Sequence, residues 1–337
     1  MEEKYYFEHK GKVIETDKRF KHVMAITLDP RTNYREGIVR CIVNREGDIH
    51  VKGYTDRSEL YKIKGDSLES FKITEHLKIK NEKEILNQLI EKDFDFLGLE
   101  DPDIWINKET DLMHVYFTIP LIGKMKNIKN NIHLGHAVGK DLDNLEMTMP
   151  VLLGTGGRAK EVSIAPVNKK GFRYNLIESK DHREDISYSI VRVAIAKDMS
   201  EPWEYGEAVF HPAENNIPWI GGHASPGPLL PETFINVGEG KRLGVINGRE
   251  ANIKIGNQIK YGIFSVGLFI YDFENGKIDW VSPEPFIRDS EATTITFASQ
   301  FVETKSGEGI LYAHVDDSFV RAYTLEADKI KFLLPKI

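Results

Sequence analysis

Residues 190–205 read IVRVAIAKDMSEPWEY. Ile190–Ala196 alternates apolar with small or polar residues, the pattern of a strand with one face in a core. KDMSEP is a charged turn, and Trp203–Tyr205 begins a short aromatic strand. The same succession recurs as HVKGYTDRSEL around Asp56, IHLGHAVGKDLDNLEM around Asp141, VGLFIYDFENGKIDW around Asp272 and FVRAYTLEADKIKF around Asp328. With Asp198 the five anchors lie 85, 57, 74 and 56 residues apart, so five units over 337 residues average about 67. A four-stranded unit of that size cannot bury both faces by itself and has to stack on neighbours around an axis. The pattern predicts an all-β protein, a five-bladed β-propeller using residues 1–337 as a single domain. Periodicity by itself also leaves a two-sheet sandwich or jelly roll open.

Working outward, Leu112–Thr118, Ile186–Ala196, Leu243–Asn247, Ile263–Tyr271 and Gly309–Val315 are further apolar runs bounded by turn residues. Helical spacing is confined to Glu82–Lys92, with Ile85, Leu86 and Leu89 on one face, so one short helix insertion is expected. Cys41 is the single cysteine and cannot form an internal disulfide. The charged start MEEKYYFEHK lacks the apolar segment of a signal peptide, and no run nears the ~18 apolar residues of a membrane span. These features predict a cytoplasmic protein with no membrane partner. With 45 Lys+Arg against 52 Asp+Glu the net charge is −7, and no basic stripe invites nucleic acid. A homo-oligomer is compatible with this composition.

Three segments hold candidate chemistry. In GLEDPDIW, Gly98–Trp105, the carboxylates Glu100, Asp101 and Asp103 are flanked by Phe94, Phe96, Leu97, Ile104 and Trp105, a setting that can raise a carboxyl pKa and keep a proton for general acid work. An acidic turn opening a blade is the plainer reading. GGHASPGPLLPET, Gly221–Thr233, suits backbone lying close to a ligand and equally an ordinary long loop. His223 within it has no HExxH or Cys/His companion, so no metal is expected. GTGGRAK, Gly154–Lys160, lacks the GxxxxGK[ST] spacing and a following helix, and Ser225 lies in no nucleophile elbow, so no nucleotide cofactor or serine triad is expected.

Taken together, these motifs resemble glycoside hydrolase family 130, the five-bladed propeller group of mannoside phosphorylases and β-mannosidases, related in fold to family 43. The family's Glu-Asp-Pro-Arg motif is similar to Glu100, Asp101, Pro102 and then Asp103, so its arginine is absent. Its cationic strand ending in Phe-Pro resembles KEVSIAP, Lys160–Pro166, and the place of a following arginine is held by Glu178. The Gly- and Pro-rich loop and Tyr-His-Gly strand end resemble residues 222–250, with Asn247 where histidine would stand, and the closing aspartate resembles Asp316 in LYAHVDDSFV. The resemblance implies Asp101 as catalytic acid. Of the phosphate-cradling cations it leaves only Lys160, while Glu178 would repel phosphate and suits a general base that activates water. An inverting β-mannosidase acting on mannose-containing oligosaccharides is the implied function. A phosphorylase using Lys160 with Arg158 or Arg173, and a catalytically silent carbohydrate-binding propeller, are the alternatives. Glu100, Lys160, His223, Arg249 and Asp316 are the implied sugar-binding groups, Trp105, Trp219 and Tyr261 candidate stacking surfaces, and Arg40 or Arg45 the first-blade arginine.

Overall fold

Alternating apolar residues become strands where predicted. In the computed structural model, which describes residues 5–155, 157–256 and 258–336, the run Ile186–Ala196 is a strand with those bounds, and the run predicted from Ile263 is the strand Phe264–Asp272. Residues 1–4 of the charged start, and Gly156 within GTGGRAK, lie outside the described residues. No helix among the described residues is long and apolar enough to cross a membrane.

The fold is nearly all-β. His22–Leu28, Glu36–Glu46, Thr55–Ser67 and Ser70–His76 form one antiparallel sheet in that order. Thr296–Lys305, Glu308–Val315 and Phe319–Glu326 form another, whose fourth strand is Tyr6–Glu8, so the two ends of the chain close one sheet. In a third sheet Glu100–Ile106 and Phe94–Phe96 both pair Met113–Gly123, which leads to Asn131–Gly139 and Leu145–Met147. The largest sheet contains two antiparallel runs, Lys160–Ser163 to Glu204–Phe210 and His223–Leu229 to Lys277–Val281, joined by a parallel pairing of Ser189 with His223.

The repeating aspartates have a local cause. Asp141, Asp198 and Asp272 each occupy the turn from the third to the fourth strand of a run and accept a backbone N–H, from Asp143 at 3.0 Å, Ser200 at 2.7 Å and Asn275 at 3.0 Å. Two anchors depart from this. Asp56 lies inside the strand Thr55–Ser67, its carboxylate bound to Arg45, and the equivalent turn is Ser67–Ser70. Asp328 lies in a second helix, Ala327–Lys331, where a charged turn leading into a short strand was expected. Ala327 and Ile330 are buried beneath it, Asp328 sits in its first turn and Lys329 and Lys331 in its last, as the helix dipole favours. With the chain turned into a helix there, Tyr6–Glu8 takes the fourth-strand place, and Tyr6 packs edge-on against Tyr323. The predicted helix at residues 82–92 runs Glu82–Leu89, with Leu86 buried and Ile90 already extended.

Apolar clusters fill the spaces between successive strand runs. Val39 and Cys41 pack with Tyr312 and Val320, Ile38 and Leu60 with Phe117 and Leu121, and Tyr116 and Leu134 with Ile177 and Ala194. Leu176 and Val191 pack with Ile246 and Phe269, and Val245 and Leu268 with Leu311 and Tyr323. The last cluster returns to the sheet that opened the first, so the runs stand in a closed, propeller-like ring. Each fully buried Leu, Val or Phe contributes about 1.5–3 kcal/mol to that stacking.

Candidate active site

The first strand of each run lies innermost: β1 (His22–Leu28), β2 (Glu100–Ile106), β3 (Lys160–Ser163), β4 (His223–Leu229) and β5 (Thr296–Lys305). Apart from the Ser189–His223 pairing, each has a hydrogen-bonded neighbour on one side only. An axis-facing edge does not call on every N–H, so Pro102, Pro226 and Pro228 are accommodated within strands. This is why both GLEDPDIW, read as an acidic turn, and GGHASPGPLLPET, read as a long loop, contain strands.

All five innermost strands carry a bulge, at Met24/Ile26, Glu100/Asp103, Lys160/Ser163, Pro226/Leu229 and Ala298/Gln300. A bulge re-aims side chains and commonly borders a site. At three of them a non-glycine residue is left-handed: Ala25 (φ 48°), Asp101 (φ 48°) and Glu161 (φ 51°). Such a conformation costs of order 1 kcal/mol or more and is held in place by its surroundings.

Around these bulges a charged cluster gathers. Arg40 reaches in from Glu36–Glu46, donating from Nη1 to Asp101 at 2.8 Å, from Nη2 to Glu100 at 2.7 Å and from Nε to Ser58 at 2.8 Å. Arg45 instead forms a two-pronged pair with Asp56, so Arg40 is the arginine of the cluster. Lys160 Nζ lies 3.1 Å from both Asp101 and Glu161, which brings the two carboxyl groups close together. Lys160 is the cross-strand partner of Glu178. Glu178, 1% exposed, accepts from Arg158 and lies 3.1 Å from His223 Nε2. His223 in turn is the cross-strand partner of Arg249, whose guanidinium sits 4.4 Å from the Tyr261 ring centre. Asp101, Glu100, Lys160, Glu178, His223 and Arg249 are thereby brought into one region.

Burial and charge set the protonation states. Burial alone would raise Asp101, yet Lys160 and Arg40 hold its carboxyl well below the usual range, so Asp101 is ionised where the sequence suggested a protonated acid. The apolar setting acts on Asp103 instead, where burial pushes the pKa up to about 7. Burial likewise raises Glu100 against the pull of Arg40. Glu161 is raised well above the normal range by burial and by the charge of Asp101. Glu178 would rise on burial, but His223, Arg158 and Lys160 keep it well below the normal range and ionised. Burial lowers His223 to about 4, so its imidazole is neutral at pH 7, and with Glu178 as acceptor Nε2 carries the hydrogen.

Other candidates have different duties. Asp316 accepts from Thr293, Thr294 and Ile295, closing the turn before β5, and its neighbour Asp317 lies 3.2 Å from His314 Nε2. A register difference of one residue separates the two. Asn247 is fully buried and bonds Ala298 through both its amide groups, tying neighbouring runs together. Trp219 packs in the core, where a Cβ on Gly248 or Gly267 would come within 2.3 Å of its ring, and its Nε1 donates to Ser282. Trp105 lies farther along β2, edge-on to His114 with Arg173 stacked 5.0 Å over it. Arg173 bonds the Ala165 carbonyl, whereas Arg158 belongs to the cluster. A cavity of about 170 Å³ runs along the innermost strands past Asp101, Asp103, Glu161, Ser163 and Gln300. Among the described residues no group of three His, Cys, Asp or Glu side chains is arranged to hold a metal ion.

No family model matches the sequence, and no curated protein matches it. The fold does match solved structures. A β-1,2-mannobiose phosphorylase from Listeria innocua, in complex with β-1,2-mannobiose, superimposes with a TM-score of 0.66 at 12% identity, covering 98% of this chain and 99% of that one. A glycosyl hydrolase from Bacteroides ovatus gives 0.61 at 15% identity over 96% and 94%. A mannose phosphorylase from Leishmania mexicana, in complex with a phosphate ion, gives 0.54 at 13% identity over 97% and 91%. At these identities the shared property is the propeller-like fold.

Proposed function

We propose that the chain is a carbohydrate-active enzyme, an inverting β-mannosidase that hydrolyses mannose-containing oligosaccharides on a single five-bladed propeller spanning residues 1–337. One observation carries hydrolysis over phosphorolysis: three cations of the cluster already hold carboxylates, while Arg249 is bonded to the Asn252 side chain. Arg40 binds Glu100 and Asp101, Arg158 binds Glu178, and Lys160 binds Asp101 and Glu161. A phosphate dianion entering here would have to displace a carboxylate from each, whereas water needs no free cation. The mannobiose phosphorylase and the glycosyl hydrolase that share the fold show that such a ring can serve glycosidic chemistry, and the site residues argue the rest.

In this reading a protonated carboxyl group of the cluster around Asp101 gives its proton to the glycosidic oxygen as the C1–O bond breaks. Ionised Glu178 removes a proton from the water that attacks C1 from the opposite face, which inverts the anomeric centre and calls for a carboxyl separation of about 6.5–9.5 Å. His223, donating to Glu178, orients that carboxylate, while Glu100 and Arg249 offer polar groups to sugar hydroxyls. The test is an assay of β-mannobiose and aryl β-mannosides with and without inorganic phosphate, with NMR detection of the first anomer released. Phosphate-independent release of α-mannose supports the proposal. Phosphate-dependent release overturns it in favour of a phosphorylase, and ligand binding without turnover overturns it in favour of a binding propeller.

A further inference from the structure

Asp101 and Glu161 occupy matching bulges on adjacent innermost strands, both left-handed and both turned toward one ammonium group, that of Lys160. Each carboxyl group lies 3.1 Å from that single Nζ, so the two stand close together. Like charges at such range resist joint ionisation, and one of the two keeps a proton. The partners decide which one does. Asp101 is 5% exposed and faces two cations, Arg40 at 2.8 Å and Lys160 at 3.1 Å. Among the described residues Glu161 pairs with one cation, Lys160 at 3.1 Å, and has Asp101 and Glu178 as anionic neighbours. The charged form is therefore favoured at Asp101 and the neutral form at Glu161.

We infer that Glu161 is the proton donor of the site: its carboxylic acid, beside Asp101 at the Lys160 ammonium, delivers the proton to the glycosidic oxygen. This deepens the glycosidase reading and rests on it. In the step the Glu161 O–H bond breaks and its proton goes to the leaving oxygen, which departs with the electron pair of the C1–O bond. Water forms the new C1–O bond and loses its proton to Glu178. Glu161 is left as a carboxylate beside Lys160 and Asp101, and exchange with solvent moves the proton from Glu178 back. The groups facing Glu161 are Asp101, Lys160 and Glu178, with Glu100 and Arg40 reaching it through Asp101. Asp101, the residue at which the acid was sought, becomes a positioning residue that orients the donor and keeps its proton on it.

Glu161→Gln retains a side-chain donor toward Asp101 but has no transferable proton. It is compared with wild type on β-mannobiose, whose leaving group needs protonation, and on 2,4-dinitrophenyl β-mannoside, whose leaving group does not. The expected result is a loss of at least 100-fold in kcat/KM on mannobiose with the basic limb of its pH profile abolished, and a change of less than about tenfold on the dinitrophenyl substrate. Infrared spectra at neutral pH, taken with Asp103→Asn in place so that its own proton does not contribute, should show a protonated-carboxyl band that is lost when Glu161→Gln is added. Equal losses on both substrates, an unchanged basic limb, or a band that survives Glu161→Gln in the Asp103→Asn background overturns the assignment while an active wild type leaves the glycosidase reading standing. A wild type inactive on both substrates with the band present overturns the glycosidase reading and the donor role with it.

Discussion

Lys160 stands directly opposite Glu178 in the pairing of its strand, yet its ammonium turns to Asp101 at 3.1 Å. One cation thus helps hold both the carboxylate of the acid centre and the candidate base in their ionised forms, since its charge lowers Asp101 and Glu178 alike. An opposite charge at this range lowers a carboxyl pKa by about 1–3. Lys160→Met should raise both carboxyls. A base must be ionised to act, so the acidic limb of the pH–rate profile should move up by about one pH unit or more. An acidic limb that stays in place would remove Lys160 from the protonation of the site.

Arg40 is buried and divides its guanidinium between Glu100 and Asp101, both nearly fully buried. Removing it leaves two carboxylates without their shared cation, a loss of about 3–5 kcal/mol for a buried pair broken on one side. Arg40→Ala should show that loss in urea unfolding monitored by tryptophan fluorescence. Adding Glu100→Gln and Asp101→Asn should recover at least half of it, because the uncompensated charges are then gone. If the triple variant is no more stable than the single one, packing rather than charge accounts for the role of Arg40.

The strands were legible because alternation is a local property: Ile186–Ala196 appears with its predicted bounds. The repeat was legible through the Asx turns at Asp141, Asp198 and Asp272, which short-range hydrogen bonding fixes. At Asp56 and Asp328 the same letters have other duties, an ion pair with Arg45 across the strands in one case and the first turn of a helix in the other. The site divided in the same way. Motif comparison pointed to Asp101, Lys160 and Glu178, and the fold brings them together. Glu161 went unnoticed although it follows Lys160 as Asp101 follows Glu100, each at the bulge of an innermost strand. Only the ring brings those two bulges face to face. Asp316, singled out from the motif, closes a turn with Thr293, Thr294 and Ile295, partners far from it in sequence that no local pattern reveals.

Asp103 predicts a pH dependence of stability. Burial raises its folded pKa to about 7, against an ordinary value of about 3.9 in the unfolded chain. Between those values the folded state binds more protons than the unfolded state, so the contribution of Asp103 to stability falls as pH rises from about 4 to 7 and is constant above. Asp103→Asn should match wild type near pH 4 and exceed it at pH 8 by up to about 4 kcal/mol, since each tenfold change in proton affinity is worth about 1.4 kcal/mol. Melting temperatures across this range check it, and parallel curves for the two proteins would rule the titration out.

His223 acts with the opposite sign. Its folded pKa of about 4 lies below the unfolded value of about 6.5, because burial disfavours the imidazolium more than Glu178 supports it. The unfolded chain therefore binds the extra proton between those values, and stability falls as pH drops from about 6.5 to 4. His223→Asn should flatten that part of the stability curve by up to about 3 kcal/mol, on the same conversion from proton affinity to free energy. The same variant loses the Nε2 donor to Glu178, so kcat should fall with KM little changed if His223 orients the base, and KM should rise instead if its main contact is with the sugar. Unfolding curves at pH 4.5 and 7.5, set beside kcat and KM for one mannoside, separate the two roles of a single side chain. A stability curve as steep in His223→Asn as in wild type would show that some other group takes up that proton.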